Sequence, residues 1–298
     1  MSKQIMKSNS DRVFDIVNYS FLTIILIIVL YPLIFIISAS FSHPSAVMSG
    51  RVWLFPVDFN LMGYKAVFRH KQVLTGYSNS LYYTIVGTTI QLAVTIMAAY
   101  PLSRKDKIFG KGVVMFFFTF TMLFGGGMIP NFLLVRALGL YNTRWALLIP
   151  GALGVWNMII TKTFFQSNIP DELYDAASID GSGEIRTLFS IVLPLSGTII
   201  AVNSLFYAVG KWNAYFNALL YLRDAKLFPL QIFLRNILVI NQVDSSMIED
   251  VRDIAERQGL TELLKYSLII VASLPVMLAY PFVQKYFVKG VMVGSIKG

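Results

Sequence analysis

The chain has 298 residues, of which 56% are hydrophobic and only 14% are charged. Soluble domains carry roughly 25% charged residues, and a mean hydropathy of +0.64 leaves too few polar side chains to cover a surface in water. A membrane protein is predicted, so the net charge of +9 favours loops beside anionic lipid head groups over a nucleic-acid partner. The absence of cysteine excludes thiol catalysis, disulfides and cysteine-type metal sites.

Long apolar stretches predict an all-α polytopic membrane protein that forms one domain over residues 1–298, because a spanning helix needs about 20 mostly apolar residues. Six helices are placed near 18–40, 79–102, 113–135, 145–165, 197–220 and 266–288. A cleavable signal peptide is the alternative for the first stretch, but the stretch is long and no A-x-A-like site follows it. We therefore expect the first stretch to stay as a membrane anchor.

Charge does not orient the chain. With both termini on one side, the 25 Lys and Arg residues divide evenly across the membrane once Lys211, inside the fifth helix, is set aside. The cluster Arg104-Lys105-Asp106-Lys107 only weakly favours a cytoplasmic second loop. In the long loop 221–265, Asp244-Ser245-Ser246 predicts the start of a solvated helix that ends near Gly259.

Missing motifs exclude several functions. The only histidines, His43 and His70, lie in no H-E-x-x-H motif, and no G-x-x-x-x-G-K-[ST] sequence occurs. We expect no catalytic residue, no metal site and no ATP hydrolysis through a P-loop on this chain. No acidic residue lies within a predicted helix of the membrane, which leaves little to bind and release protons.

The connection between the fourth and fifth helices, residues 166–196, is predicted to form two short helices, here called the elbow. Ser167 or Asn168 is expected to cap a helix that begins at Pro170 and ends at Gly181, whose freedom at positive φ permits a bend. A second helix is predicted from Ser182 until Pro194 interrupts it.

Spacings of three and four residues predict which elbow side chains share a face. On the first helix these are Leu173, Ala176, Ala177 and Asp180, and on the second they are Ile185, Leu188, Phe189 and Val192. The two alanines would let a partner approach closely, whereas a re-entrant or interfacial connector without a partner is the alternative interpretation.

The elbow sequence Asp175-Ala176-Ala177, three residues, Gly181, nine residues, Ile191-x-Leu193-Pro194 resembles the E-A-A-x3-G-x9-I-x-L-P signature of permease subunits of binding-protein-dependent ABC importers. Asp175 stands where the signature has Glu. Segments 99–104, 212–213 and 289–298 resemble carbohydrate permeases of the maltose type. Segments 124–130 and 138–140 resemble the branch associated with oligosaccharides from complex polysaccharides.

This resemblance implies a bacterial cytoplasmic-membrane protein with both termini inside and the loop 221–265 outside. It also implies a pore shared with a second, related permease, two cytoplasmic ATP-binding subunits that hold the ATP, and an extracytoplasmic solute-binding protein that delivers an oligosaccharide. No cofactor is expected on this chain itself. The resemblance assigns ATPase coupling to Asp175, Ala176, Ala177, Asp180, Gly181, Ile191, Leu193 and Pro194.

Sugar hydroxyls need hydrogen bonds and sugar faces stack on rings, so neutral polar and aromatic residues within the predicted helices are candidates for the substrate pathway. They are Asn157, Asn203, Tyr207, Lys211 and Asn213. Helix packing and interfacial anchoring are the alternative roles for these residues. In the third helix, Gly125-Gly126-Gly127 and Pro130 predict a weakened backbone that either lines the pore or packs closely.

Two other functions stay open from the residues alone. A secondary transporter or channel would act without an ATPase, and an intramembrane enzyme would need a catalytic constellation that the chain lacks. Association with an ATPase and a second permease would separate the first of these from the importer.

Overall fold

A computed structural model describes residues 9–104, 109–238 and 254–295. Every regular element in these ranges is helical, as predicted. Lys105 and Lys107 of the basic cluster, the predicted helix start at 244–246 and the last three residues lie outside the described residues. The described helices fall into two compact units, and the single-domain partition stays a prediction.

The first unit takes in the described residues up to His70 and those between 236 and 273. Its helices are α1 (Asn9–Ser40), α2 (Pro44–Met48) and α3 (Met62–Arg69), together with the first half of α15 (Ile254–Ser295). Ser40 Oγ and Tyr64 Oη are 2.8 Å apart, which joins the end of α1 to α3. Gly63 faces Leu263 and Ser267 of α15 so closely that a β-carbon there would clash.

The second unit takes in residues 71–235 and the chain from 274 onward. Its α-helices up to the elbow are α4 (Lys71–Ser103), α5 (Lys111–Leu123), α6 (Met128–Ala137), α7 (Trp145–Leu148) and α8 (Val155–Asn168). The elbow contains α9 (Asp171–Ile179), α10 (Glu184–Thr187) and α11 (Leu193–Leu195), and it is followed by α12 (Gly197–Trp212), α13 (Phe216–Tyr221) and α14 (Leu230–Leu238). Helix α4 packs chiefly against α12 and α8.

Three helices in the described residues are long and apolar enough to cross a membrane: α1, α4 and the part of α15 from Gly259 to Pro281. None of the apolar window of α1 is buried within the chain. Apolar side chains from Val13 to Leu30 point outward, as expected of a helix whose solvent is lipid. Helix α15 runs through Gly259 without a break, so the predicted end of the loop helix there is wrong.

Two further spans are possible only as bent pairs of helices. The chain bends by 114° between α5 and α6. The break lies at Gly125-Gly126-Gly127, where Gly127 has a φ of +84°. The glycines therefore break the third predicted helix outright. The second bent pair is the segment Glu184–Leu195 followed by α12, and the chain bends by 83° between them.

The fourth and fifth predicted helices are not continuous. Residues 145–165 contain α7 and α8, separated at Pro150 and Gly151, and Gly151 has a φ of +70°. Because proline cannot donate to the helix ladder and Gly151 turns left-handed, the helix starts again only at Val155. Residues 197–220 contain α12 and α13, with the break at residues 213–215. Counting each bent pair as one span gives up to five spans in the described residues.

Gly76 allows the segment that follows α13 to pack closely against α4. A β-carbon at Gly76 would be 2.8 Å from Phe233 Cε2 and 3.3 Å from Leu230 Cα. Gly112 in α5 has open space around it. The two glycines therefore form a matched pair for substitution.

We expect Gly76→Leu to lower the free energy of unfolding by about 1–3 kcal/mol through overpacking. Gly112→Leu should leave it unchanged or raised, because it gains helix propensity without a clash. The thermal unfolding midpoint of the purified protein in detergent measures both. Equal midpoints for the two variants would contradict the packing described for Gly76.

Candidate functional site

The first elbow helix, α9, ends in a glycine cap. Gly181 has a φ of +71°, its amide donates to Ser178 O at 3.1 Å, and the Ser182 amide donates to Ala177 O at 2.8 Å. This pair of hydrogen bonds is the Schellman arrangement, which glycine adopts without steric cost. The predicted bend at Gly181 is confirmed, and its geometry is fixed by backbone hydrogen bonds.

The beginning of α9 differs from the prediction. Pro170 occupies the capping position and offers no side-chain hydrogen bond. Asn168 Nδ2 instead donates back to Phe164 O at 3.1 Å and to Ser167 Oγ at 2.9 Å, at the end of α8. The predicted capping by Ser167 or Asn168 is therefore wrong, because both side chains satisfy groups of the preceding helix.

The second half of the elbow runs through Pro194 without interruption. Residues Leu188–Val192 form a π-helical turn, in which the Leu193 amide bonds to Leu188 O. A wider turn moves the preceding carbonyls away from the proline ring, which otherwise clashes four residues back. The predicted stop at Pro194 is wrong, and the bend comes instead between Leu195 and Gly197.

The elbow does not present the face predicted from spacing. Ala177 is only 4% exposed and packs toward the protein, while Asp175, Ala176 and Asp180 are exposed. The predicted pairing of Ala176 and Ala177 on one partner-facing surface is therefore wrong. Adjacent residues on a helix are about 100° apart, so one alanine faces the core and the other faces away.

An apolar tip projects from the elbow on both sides of Gly181. Ile179 is 87% exposed and Ile185 is 76% exposed, and Phe189 is exposed as well. Leu188 and Val192, predicted to share a face with Ile185 and Phe189, are buried. The sequence signal for the tip was the apolar character of Ile179 beside Gly181, but periodicity alone assigned neither isoleucine to an outer surface.

The last signature residues lie near the core. Ile191 is half-buried, and Leu193 packs against a cluster that includes Met158, Phe165 and Ile199. Pro194 is exposed. Ile191 and Leu193 are therefore placed to anchor the elbow to its own chain rather than to reach outward.

Four side chains join the end of α4 to the elbow, a contact that the sequence did not predict. Arg104 Cζ lies 3.5 Å from the centre of the Tyr174 ring, and Tyr100 Oη donates to Glu184 Oε2 at 2.7 Å. Arg104 Nε is 4.0 Å from the same carboxylate oxygen. Burial raises the pKa of Tyr174 above its ordinary value.

Three of the candidate pathway residues, all on α12, make polar contacts with α4, α7 and α8, which are here called the buried polar chain. Asn203 Nδ2 donates to Thr161 Oγ1 at 2.6 Å, and Tyr207 Oη is 2.6 Å from Thr95 Oγ1. Lys211 Nζ donates to Leu147 O at 2.7 Å. The structure therefore brings three of the five candidates, Asn203, Tyr207 and Lys211, onto one face of α12.

The other two candidates stand apart. Asn157 Nδ2 is buried without a hydrogen-bond partner, one helical turn before Thr161. Asn213 is exposed at the break after α12. The residue that the sequence missed is Gln91, whose Nε2 donates to Gly151 O at 3.0 Å and whose Oε1 is buried and unpaired.

The chain after α13 is fastened to α4 by side chains that bind backbone carbonyls. Asn79 Nδ2 donates to Lys226 O at 2.7 Å and to Phe228 O at 3.1 Å, and Tyr83 Oη donates to Leu227 O at 2.8 Å. The structure describes residues 221–238 and 254–265 of the predicted loop 221–265, and the first of these parts is held against α4.

A family model for the inner membrane component of binding-protein-dependent transport systems matches residues 90–293. The polygalacturonan/rhamnogalacturonan transport system permease protein YtcP of Bacillus subtilis (strain 168) is 42% identical over 289 residues, which are 97% of this chain and 99% of that protein. Protein LplC of the same organism is 40% identical over 292 residues, with 98% and 97% covered.

One solved structure is similar over nearly the whole chain. It is a crystal structure of a bacterial ABC transporter involved in the import of the acidic polysaccharide alginate. One of its chains matches with a TM-score of 0.88 and 35% identity, covering 95% of this chain and 100% of that chain.

The chain therefore belongs to the family of inner membrane components of binding-protein-dependent transport systems. It is the permease component of a sugar ABC importer, which is a transport subunit. Such a permease implies a partner permease, an ATPase and a solute-binding protein.

Thr161 tests the buried polar chain. We expect Thr161→Val to lower the free energy of unfolding by about 1–3 kcal/mol, because the amide of Asn203 loses its acceptor in a buried site. Thr161→Ser keeps the hydroxyl and should stay close to the parent. Thr163→Val, the same change at an exposed position of α8, is the control. Thermal unfolding in detergent measures all three, and a Thr161→Val midpoint equal to the control would contradict the contact.

Proposed function

We propose that the chain crosses the membrane six times, with both termini and the elbow in the cytoplasm. Five spans follow from α1, α4, the pair α5 and α6, the pair ending in α12, and α15. The sixth is the region of α7 and α8, whose broken backbone is covered by α4 and α12. Irregular backbone at membrane depth is tolerated where protein covers it. An even number of spans puts both termini on one side.

The proposed substrate is an oligosaccharide that carries carboxylates. Two proteins similar along almost their whole length, YtcP and the alginate importer, are named for polygalacturonan/rhamnogalacturonan and for an acidic polysaccharide. Lys211 supplies a cation beside the buried polar chain, and among the described contacts its ammonium bonds only to a backbone carbonyl. An ammonium has three donors, so two are left for a carboxylate.

The elbow is the proposed contact with the cytoplasmic ATPase. Its exposed apolar tip, formed by Ile179 and Ile185, stands on a base fixed by Ala177, Leu188 and Val192 in the core. This combination of an exposed apolar tip and a buried base is the observation that carries the proposal, because large apolar side chains exposed together outside the bilayer, here Ile179, Ile185 and Phe189, mark a protein interaction site. Closure of two ATPases on ATP would then move the elbow, while a related second permease completes the pore.

Neither a resident cofactor nor ATP is assigned to this chain. The P-loop that the chain lacks belongs to the ATPase subunits, and the sugar arrives from the solute-binding protein outside. The competing function is a lone secondary transporter or channel. Mild-detergent purification should recover the chain with an ATPase and a second permease, whereas recovery as a lone homo-oligomer would favour the competitor.

Ile179→Asp tests the ATPase contact. We expect it to leave thermal stability unchanged, because the side chain is exposed, and to reduce recovery of the ATPase with the permease about tenfold or more, as for removal of an apolar anchor at an interface. Ile179→Val, which stays apolar, is the matched control. Ala177→Asp instead buries a charge in the base and should destabilise the permease itself.

Co-purification with a tagged ATPase, together with the unfolding midpoint of each variant, separates these effects. Full ATPase recovery and full sugar uptake with Ile179→Asp would contradict the elbow as the contact.

Lys211→Met tests the substrate class. We expect Lys211→Met to slow uptake of an acidic oligouronide about tenfold or more, since a charge-assisted hydrogen bond to a carboxylate is lost. Lys211→Arg should retain most uptake because it keeps the cation. Radiolabelled digalacturonate and maltotriose in proteoliposomes of the whole importer give the comparison. Equal loss with both sugars, or no loss with either, would refute a carboxylate-binding role.

A further inference from the structure

The two halves of the elbow need a brace. Gly181 joins them at a left-handed position with open space where a β-carbon would be, and next to it Thr187 Oγ1 donates to Ser182 Oγ at 3.2 Å. The Schellman hydrogen bonds end α9 but do not set the direction of α10. A lever that transmits force must keep its two arms at a constant angle.

The brace comes from the end of α4, which is distant in sequence from the elbow. Tyr174 belongs to α9, before Gly181, and Glu184 belongs to α10, after it. Arg104 reaches both: its guanidinium lies over the Tyr174 ring and its Nε faces the Glu184 carboxylate. Tyr100, one helical turn earlier, donates to the same carboxylate.

Burial strengthens the contact between Arg104 and Tyr174 more than the contacts to Glu184, whose side chain is 49% exposed. Tyr100 and Tyr174 are each 6% exposed, and the Arg104 side chain is 12% exposed. Cation–π and charge-assisted hydrogen bonds strengthen when water is excluded. The backbone at the end of α4 is also held in place. Lys111 Nζ donates to Arg104 O at 3.0 Å, and Gln166 Nε2 donates to Ser103 O at 3.2 Å.

We propose that Tyr100 and Arg104 are positioning residues that latch both arms of the elbow to the end of α4, so that movement of the elbow is passed to α4 as a rigid displacement. The latch is defined as Tyr100, Arg104, Tyr174 and Glu184. Its role in coupling rests on the proposed function of the elbow, whereas its role in holding the elbow does not.

Arginine suits this position better than lysine. Its planar guanidinium stacks on a ring while its edge faces a carboxylate, whereas an ammonium is a compact point charge with a strong hydration shell. The segment Tyr100-Pro101-Leu102-Ser103-Arg104 resembles carbohydrate permeases, and the latch gives two of its residues a physical role.

The first experiment measures the elbow itself. The chain has no cysteine, so Ile179→Cys with Ile185→Cys places spin labels on exposed positions of the two arms without background labelling. Dipolar spectra of the full-length permease in nanodiscs should give one narrow distance distribution. Arg104→Gln and Glu184→Gln should broaden it, because each removes a contact to one arm or both.

Two controls make the comparison specific. Tyr174→Phe keeps the ring and should retain the narrow distribution, whereas Tyr174→Leu should broaden it. Arg186→Gln removes an exposed cation from α10 without touching the latch, and it should have no effect. A narrow distribution in Arg104→Gln equal to that of Arg186→Gln would overturn the latch, whatever the ATPase does.

The second experiment measures coupling in the assembled importer with unlabelled protein. We expect Arg104→Gln and Tyr100→Phe to raise the ATP hydrolysed per sugar imported about threefold or more, within the range for residues that couple distant sites. ATPase recovery should stay at the parent level. Because Tyr100 and Glu184 share one hydrogen bond, Tyr100→Phe combined with Glu184→Ala, which removes the acceptor, should cost no more than Glu184→Ala alone.

The two readouts separate two failures. A broadened distance distribution with an unchanged ATP-to-sugar ratio would keep the latch as a structural brace and overturn its role in coupling. An unchanged distribution in Arg104→Gln would overturn the latch and leave the elbow as ATPase contact, which Ile179→Asp tests independently.

Discussion

The packing of α4 against α8 and α12 is the contact on which the rest of the second unit depends. Thr95 and Ala99 of α4 are fully buried, and Gly87 leaves room for the stem of Lys211. Small residues let helices approach closely, which is the main source of helix association where lipid removes the hydrophobic driving force. Helix α4 contributes residues both to the buried polar chain and to the latch, so both sites depend on the position of α4.

Two of the breaks in the helices lie where glycine permits left-handed backbone. Gly127 and Gly151 turn left-handed at these two breaks, while Pro194 is absorbed by a π-helical turn. Whether a proline or glycine ends a helix therefore depends on the neighbouring turn. The result is a set of short helices around α4 instead of six straight rods in the described residues.

Much of this architecture was predictable. The all-helical class, the long apolar helices and the bend at Gly181 follow from residue types, because apolar length and glycine at positive φ are local properties. The orientation of individual side chains was less predictable. Ala176 and Ala177 appeared equivalent by composition, and only packing revealed that Ala177 faces the core. The predicted capping of α9 by Asn168 was wrong for the same reason, since the Asn168 side chain has an alternative partner in α8.

By itself the sequence determined membrane insertion, the absence of thiol and P-loop chemistry and the resemblance to importer permeases, since each depends on residue identity and spacing alone. The tertiary structure decided which residues meet. Arg104 and Tyr174 are far apart along the chain, and no periodic pattern relates them. Their stacking arises because α4 and the elbow share one core around Tyr100, Phe165 and Leu188. Long-range contacts of this kind follow from packing of whole helices, which local pattern does not encode.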